Sequence, residues 1–223
     1  MKAILFSLLA GTILLTSCEK DNYEPPKSTL TGRVIYDNQP VGVRSNGVQL
    51  ELWQRGYQLF SKIPLLVGQD GSFSATLFDG DYKLVRLRGN GPWVDNTDTI
   101  AVQVRGGTTI DVPVQPYFVI RNPAITRSGA NLSANCTVAQ VAAGRAIERV
   151  TVYVGTTQFV DVTNNVGSST VAAAALTDLS KPVALSLALP TAVANRPYFF
   201  ARIGVKTVGV AEMLYAPVQK ITL

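Results

Sequence analysis

Histidine is missing from all 223 residues. Its absence removes the commonest general base and the commonest metal ligand together. Cysteine occurs only at positions 18 and 136, and a cysteine nucleophile normally works beside the histidine that this chain lacks. No apolar stretch reaches the ~20 residues that a membrane-crossing helix needs. Charged residues make up only 16% of the chain and are scattered, with no run of Lys or Arg that could track phosphates. Nucleic acid is therefore not expected as a partner, despite a formal charge of +5. Gly-rich phosphate loops and Gly-x-Ser-x-Gly are absent as well. These gaps argue against most nucleophilic, metal-dependent and phosphoryl-transfer chemistry, and no cofactor or metal is expected.

What is present begins with Ala3 to Leu15, an apolar run of 13 residues broken only by Ser7, Gly11 and Thr12. Lys2 precedes it, and small residues lead to Cys18 in LLTSCEKD. A short hydrophobic segment followed by small residues is the pattern of a secretory signal peptide. A cleavage site ending in cysteine resembles the bacterial lipoprotein signal, which implies removal of residues 1–17 and lipidation at Cys18. Residues 18–28 follow as a charged, proline-ended tether without hydrophobic period. The acidic residues Glu19 and Asp21 resemble the export tag of Bacteroidetes lipoproteins that reach the cell surface. A plain periplasmic linker would read the same way. The implied location is the outer membrane, lipid-anchored and cell-surface exposed. With Cys18 acylated, Cys136 has no partner for a disulfide. Its neighbours Leu132, Ala134 and Val138 share its face of a strand, which makes it a small core residue.

Beyond the tether, apolar and polar residues alternate with period 2, so the chain is all-β. Leu30 to Asp37, Gly47 to Trp53, Ser72 to Phe78, Asp81 to Arg88, Thr97 to Val104 and Thr109 to Val114 read as strands. Asp37-Asn38-Gln39-Pro40, Asp70-Gly71, Asp79-Gly80 and Arg105-Gly106-Gly107 punctuate them. The stretches LTGRVIYDNQPV and DGSFSATLFDGDYKL resemble transthyretin-like, carboxypeptidase-regulatory-like sandwiches through Gly32, Asp70-Gly71, Phe73 and Gly80-Asp81-Tyr82. Residues 29–115 form this first expected domain, closed by the prolines of VPVQPY. Residues 116–223 carry a second set of strands: Tyr117 to Ile125, Ala130 to Val138, Ile147 to Val154, Ser168 to Ala174, Val183 to Leu189, Tyr198 to Thr207 and Glu212 to Leu223. A helical turn is the alternative for Val171 to Leu176, since Ala173 to Ala175 favour helix. PYFFARIGVKTVGVAEMLYAP resembles the last hairpin of Ig-like and fibronectin-III-like modules. The expected architecture is two β-sandwich domains in tandem.

Chemistry has few places to sit. A glycosidase needs two carboxylates at a set separation, and Asp37, Asp70, Asp79 and Asp81 are already accounted for by turns. Asp95 and Asp98 in GPWVDNTDTI are the best remaining pair, but they lack the ligand alternation of a calcium loop. Sugar binding instead needs an exposed aromatic face rimmed by polar groups. Period 2 sends Val48, Leu50 and Leu52 inward and Gln49, Glu51 and Trp53 outward. Tyr57 lies in the adjacent turn, and Trp93 follows the loop Gly89-Asn90-Gly91-Pro92. Trp53, Tyr57, Trp93 and Asp95 are the candidate carbohydrate-binding residues. Either tryptophan could instead plug a sandwich end or the seam between domains. Arg86 and Arg88 read as a solvated sheet face, and Lys83, on the other parity, as a bulge or strand end.

Lipobox, acidic tether, transthyretin-like domain and Ig-like domain together resemble a Bacteroidetes surface lipoprotein family of unassigned function, encoded in polysaccharide-utilisation loci beside starch-utilisation-like importers. That resemblance implies a non-catalytic lipoprotein that assists carbohydrate capture or uptake, with a glycan and an outer-membrane importer complex as partners and the membrane held through Cys18. A scaffold for protein–protein contacts in the envelope is the alternative, and a metal-independent glycoside hydrolase the third.

Overall fold

The computed structural model describes residues 24–56 and 60–222. Residues 1–17, the lipidation candidate Cys18 and the candidate sugar-binding Tyr57 lie outside the described residues.

The first domain runs β1 (Ser28–Tyr36), β2 (Gln39–Pro40), β3 (Gln49–Gln54), β4 (Lys62–Leu66), β5 (Ser72–Leu77), β6 (Gly80–Arg86), β7 (Ile100–Val104) and β8 (Gly107–Pro113). One sheet sets β1 between β5 and β8, and the other has the order β4-β3-β6-β7. The β1–β8 pair is parallel while the other pairs of this domain are antiparallel. Leu30 and Val34 of β1 face Leu50, Leu52 and Leu84 of the second sheet across a core from which water is excluded. Asp37 and Asn38 both take positive φ, 52° and 58°, in the two-residue turn joining β1 to β2. Gly32 is required for a different reason. It lies opposite Phe73, and a Cβ there would meet the Ile110 carbonyl oxygen at 2.0 Å and the Phe73 ring at 2.5 Å.

Strand β4 is absent from the sequence expectation because Pro64 interrupts it. At the sheet edge a missing N–H costs little, and among the described residues β4 pairs only with β3. Arg86 corrects another expectation. It falls on the inward parity with Tyr82 and Leu84, and its guanidinium donates to the carbonyls of Pro113 (2.7 Å) and Asp98 (3.2 Å). Satisfying carbonyls at the sandwich end makes its burial tolerable. Lys83 therefore sits in regular strand on the outer face, with no bulge.

The second domain contains β9 (Phe118–Ser128), β10 (Asn131–Gln140), β11 (Ile147–Gly155), β12 (Gly167–Ala172), β13 (Val183–Ala188), β14 (Tyr198–Thr207), β15 (Leu214–Tyr215) and β16 (Gln219–Thr222). Its sheets are β13-β10-β9 and β12-β11-β14, with β15 and β16 both pairing β14. Leu132, Ala134, Cys136 and Val138 alternate into the core, as the pattern predicts. Burial pushes the Cys136 thiol up to about 11. The ambiguous alanines form a 3-10 turn at Ala173–Ala175, directly after β12. A short helix, Thr191–Ala194, was not foreseen. The final segment is two strands rather than one, because Pro217 lies between β15 and β16.

The two sandwiches are joined through packed side chains. Trp93 bridges to Pro116 in the connection, and buried apolar contacts run unbroken from one domain into the other. Gly42 pairs with Tyr215 across the seam. Beside it, Arg202 of β14 is only 1% exposed, with Nε donating to the Ala216 carbonyl (2.7 Å), Nη1 to Val43 (3.0 Å) and Nη2 to Gln69 (2.5 Å). Two of those carbonyls belong to the first domain. The Tyr215 ring lies under the guanidinium at 4.6 Å, and Arg44 reaches Glu212 in a bidentate pair (2.6 and 3.2 Å).

Candidate functional site

The outer face of the β4-β3-β6-β7 sheet carries a groove of about 930 Å³, lined by Trp53, Arg55, Phe60, Asp81, Lys83 and Gln103 among others. Strand register decides what meets there. Lys62, Trp53, Lys83 and Ala101 are successive partners across the four strands, so their side chains form one row on the same face. The small Ala101 leaves the space above its end of the row open.

Trp53 is held in orientation rather than merely exposed. Its indole N–H donates to Glu51 Oε2 at 3.2 Å, and Lys62 Nζ lies 2.8 Å from Glu51 Oε1. Glu51 points outward as its parity requires, yet it is only 5% exposed because Trp53 and Lys62 cover it. The buried carboxylate is thus paired and hydrogen-bonded, which its burial demands. Phe60, 54% exposed, stands 5.0 Å from the indole with the rings tilted by 41°. Polar groups rim this aromatic pair: Asp81 accepts a hydrogen bond from Gln103 Nε2 (3.1 Å), with Thr99 and Arg55 nearby.

The other sequence candidates among the described residues, Trp93 and Asp95, are not gathered here. Trp93 is only 4% exposed and is packed into the domain junction; a Cβ on Gly91 would meet its ring at 2.2 Å. Both indole faces are covered, so Trp93 is a plug and offers no platform to a sugar. Asp95 lines a separate hollow with Arg86 and Asn96, and its Oδ1 accepts the Gly89 N–H at 2.7 Å, fixing its own loop. Asp98 is held locally too, its N–H donating to Asn96 Oδ1 at 2.7 Å. Among the described residues no three His, Cys, Asp or Glu side chains converge as a metal would require. Among the described residues Trp53 is therefore the sequence candidate that lines the groove, joined by Phe60, Lys83 and Gln103, which sequence reasoning missed. The register could have found Lys83: once Trp53 is placed outward, its cross-strand neighbour must share that face.

Elsewhere, shifted ionisation marks structure. Hydrogen bonds from Ser72 hold the Asp70 carboxyl below its ordinary range, and Ser28 with the Gly106 N–H does the same for Asp79. Both close inter-strand connections.

Fold and groove together define a tandem β-sandwich protein with an aromatic-walled cleft on one open sheet face. The chain belongs to the DUF3823 family: residues 28–115 match the protein of unknown function (DUF3823) N-terminal domain, and residues 118–220 match the domain of unknown function DUF3823_C. It is similar over 89% of its length to the whole of a DUF3823 family protein from Bacteroides ovatus, at 38% identity and a TM-score of 0.82. A DUF3823 family protein from Parabacteroides merdae is 34% identical with the same coverage and a TM-score of 0.82. A candidate carbohydrate-binding protein from Bacteroides uniformis shares the fold, covering 89% of this chain and 100% of its own, at 17% identity and a TM-score of 0.72. No curated protein matches the sequence.

Proposed function

We propose that the protein binds carbohydrate, without altering it, in the Trp53 groove. The observation that carries this reading is the Trp53–Phe60 pair, an indole fixed by Glu51 beside an exposed phenyl ring in a cleft with polar rims. Pyranose rings present one apolar face to aromatic side chains while their hydroxyls seek hydrogen bonds at the edge. The likeness in fold to the B. uniformis protein supports the same reading. Hydrolysis is disfavoured because Asp81 is the one carboxylate lining the groove among the described residues, and glycosidases act with two.

Affinity electrophoresis through gels loaded with plant and host polysaccharides tests the proposal. At least one glycan is expected to retard the protein, and Trp53→Ala to abolish that retardation while leaving the fold intact by circular dichroism. Free migration in every gel, or retardation that survives Trp53→Ala, counts against it.

The proposal extends to the cell envelope. Cys18, acylated after loss of residues 1–17, would hold the protein on the outer membrane, facing outward, where it assists an importer complex. Intact-mass measurement on membrane-extracted protein tests the anchor, and co-purification after mild cross-linking tests the importer.

A further inference from the structure

Resting on the carbohydrate reading above, we infer that the groove takes an acidic glycan, one built from uronate residues, with Lys83 as the partner of the sugar carboxylate. The row Lys62–Trp53–Lys83–Ala101 places an ammonium group on each side of the indole. Only one of the two is neutralised. Lys62 pairs with Glu51 at 2.8 Å, whereas Lys83 and Arg55 form no ion pair or hydrogen bond among the described residues. Asp81 is the single counter-charge on the lining among the described residues, and Gln103 already donates to it.

A uronate carries its carboxylate at the ring edge, in the place of the CH₂OH of a neutral hexose. A ring lying flat on Trp53 therefore directs that group sideways, along the row and toward the neighbouring strand. Cross-strand side chains on one face start ~5 Å apart at Cβ. An extended lysine spans the remaining gap, and Ala101 beyond it leaves the approach open. Beside the indole and Phe60 the local dielectric is lower than in water, which strengthens a cation–carboxylate contact. A neutral sugar leaves Lys83 to solvent and gains none of this.

The test uses the mature chain and matched probes: polygalacturonate, alginate and hyaluronan, each beside its carboxyl-reduced counterpart, with chondroitin and carboxyl-reduced chondroitin sulfate as a further pair. At least one acidic probe is expected to bind at least about tenfold more tightly than its reduced form, the usual scale of one charge-assisted hydrogen bond. Lys83→Met should bring that ratio close to one while the reduced form still binds. Trp53→Ala and Phe60→Ala should weaken both forms. Equal binding of acid and reduced forms overturns the charge assignment and leaves the carbohydrate reading standing. Tighter binding of carboxyl-reduced chondroitin sulfate than of unsulfated chondroitin, which keeps its carboxylate, overturns the uronate assignment. With a pI near 9.3 the chain could attract polyanions by bulk charge alone, so acid binding that survives Trp53→Ala also overturns it. Failure of every glycan to bind removes both readings.

Discussion

Arg202 is the strongest test of how the two sandwiches are joined. Replacing it with methionine keeps most of the apolar stem and removes the guanidinium. The three hydrogen bonds to Ala216, Val43 and Gln69 are then lost, leaving the Ala216 and Val43 carbonyls in the seam without donors while Gln69 keeps only the long bond from the Val43 N–H (3.3 Å). Charge-assisted bonds contribute about 2 kcal/mol each, so roughly 6 kcal/mol is at stake. Against this stands the cost of burying the charge, which lowers the guanidinium pKa from 12.5 to about 10. At ~1.4 kcal/mol per pH unit that cost is about 3 kcal/mol, and methionine relieves it. The difference leaves Arg202→Met less stable than the parent by about 3 kcal/mol.

Urea denaturation followed by tryptophan fluorescence measures this directly, because Trp93 packs at the junction and Trp53 reports on the first domain. A lowered midpoint with unchanged slope is expected. Asp111→Asn serves as the control: it breaks the exposed Arg33–Asp111 pair and should cost less than about 0.5 kcal/mol. An Arg202→Met protein as stable as the parent would falsify the argument, since it would mean the carbonyls find water and the seam is held by apolar packing alone.

Three further outcomes follow from local geometry. Gly32→Ala should cost about 3 kcal/mol by thermal or urea unfolding, because the new methyl group meets the Ile110 backbone as well as the Phe73 ring; paired Gly32→Ala/Phe73→Leu should recover only the ring's share. Cys136, its thiol raised to about 11 by burial, should resist thiol reagents at pH 8 in native buffer and react at once in urea; rapid native labelling would show the strand opening far below global unfolding. Burial raises the hydroxyls of Tyr153 and Tyr215 above 10.0, so the unfolded chain loses these protons first as pH climbs. Their contribution to stability is complete below pH 10 and falls above it, which ultraviolet titration should show as tyrosines that ionise only together with unfolding.

Much of this fold is readable from residue order, for reasons that differ by element. Strand β10 announces itself because one of its faces meets only core and the other only solvent, giving unbroken alternation from Leu132 to Val138. The Asp37-Asn38 turn is readable because positive φ at two successive residues strongly favours Asn, Asp or Gly. What periodicity cannot carry is partner choice. The parallel pairing of β1 with β8 joins residues some 78 positions apart, as Thr29 with Gly107, and nothing local records it. Pro64 hides β4 because a sequence window does not reveal whether a strand stands at an edge. Arg86 was misplaced for a related reason: hydrophobicity sends arginine outward unless carbonyls at the sandwich end are known to await it.

The two tryptophans separate these limits most sharply. Both were platform or plug by sequence, and the difference lies in what the second domain covers. Trp93, in the loop between β6 and β7, bridges to Pro116 of the connection and is buried there. The second domain turns the outer face of its own β14, where Arg202 lies, toward the carbonyls of Val43 and Gln69. Docking at that end leaves the outer face of the β4-β3-β6-β7 sheet uncovered by the described residues of either domain, and Trp53 keeps an open groove beside it. Tandem packing therefore selects the site: the indole at the junction became structure, and the indole on the free sheet face remained available to a ligand.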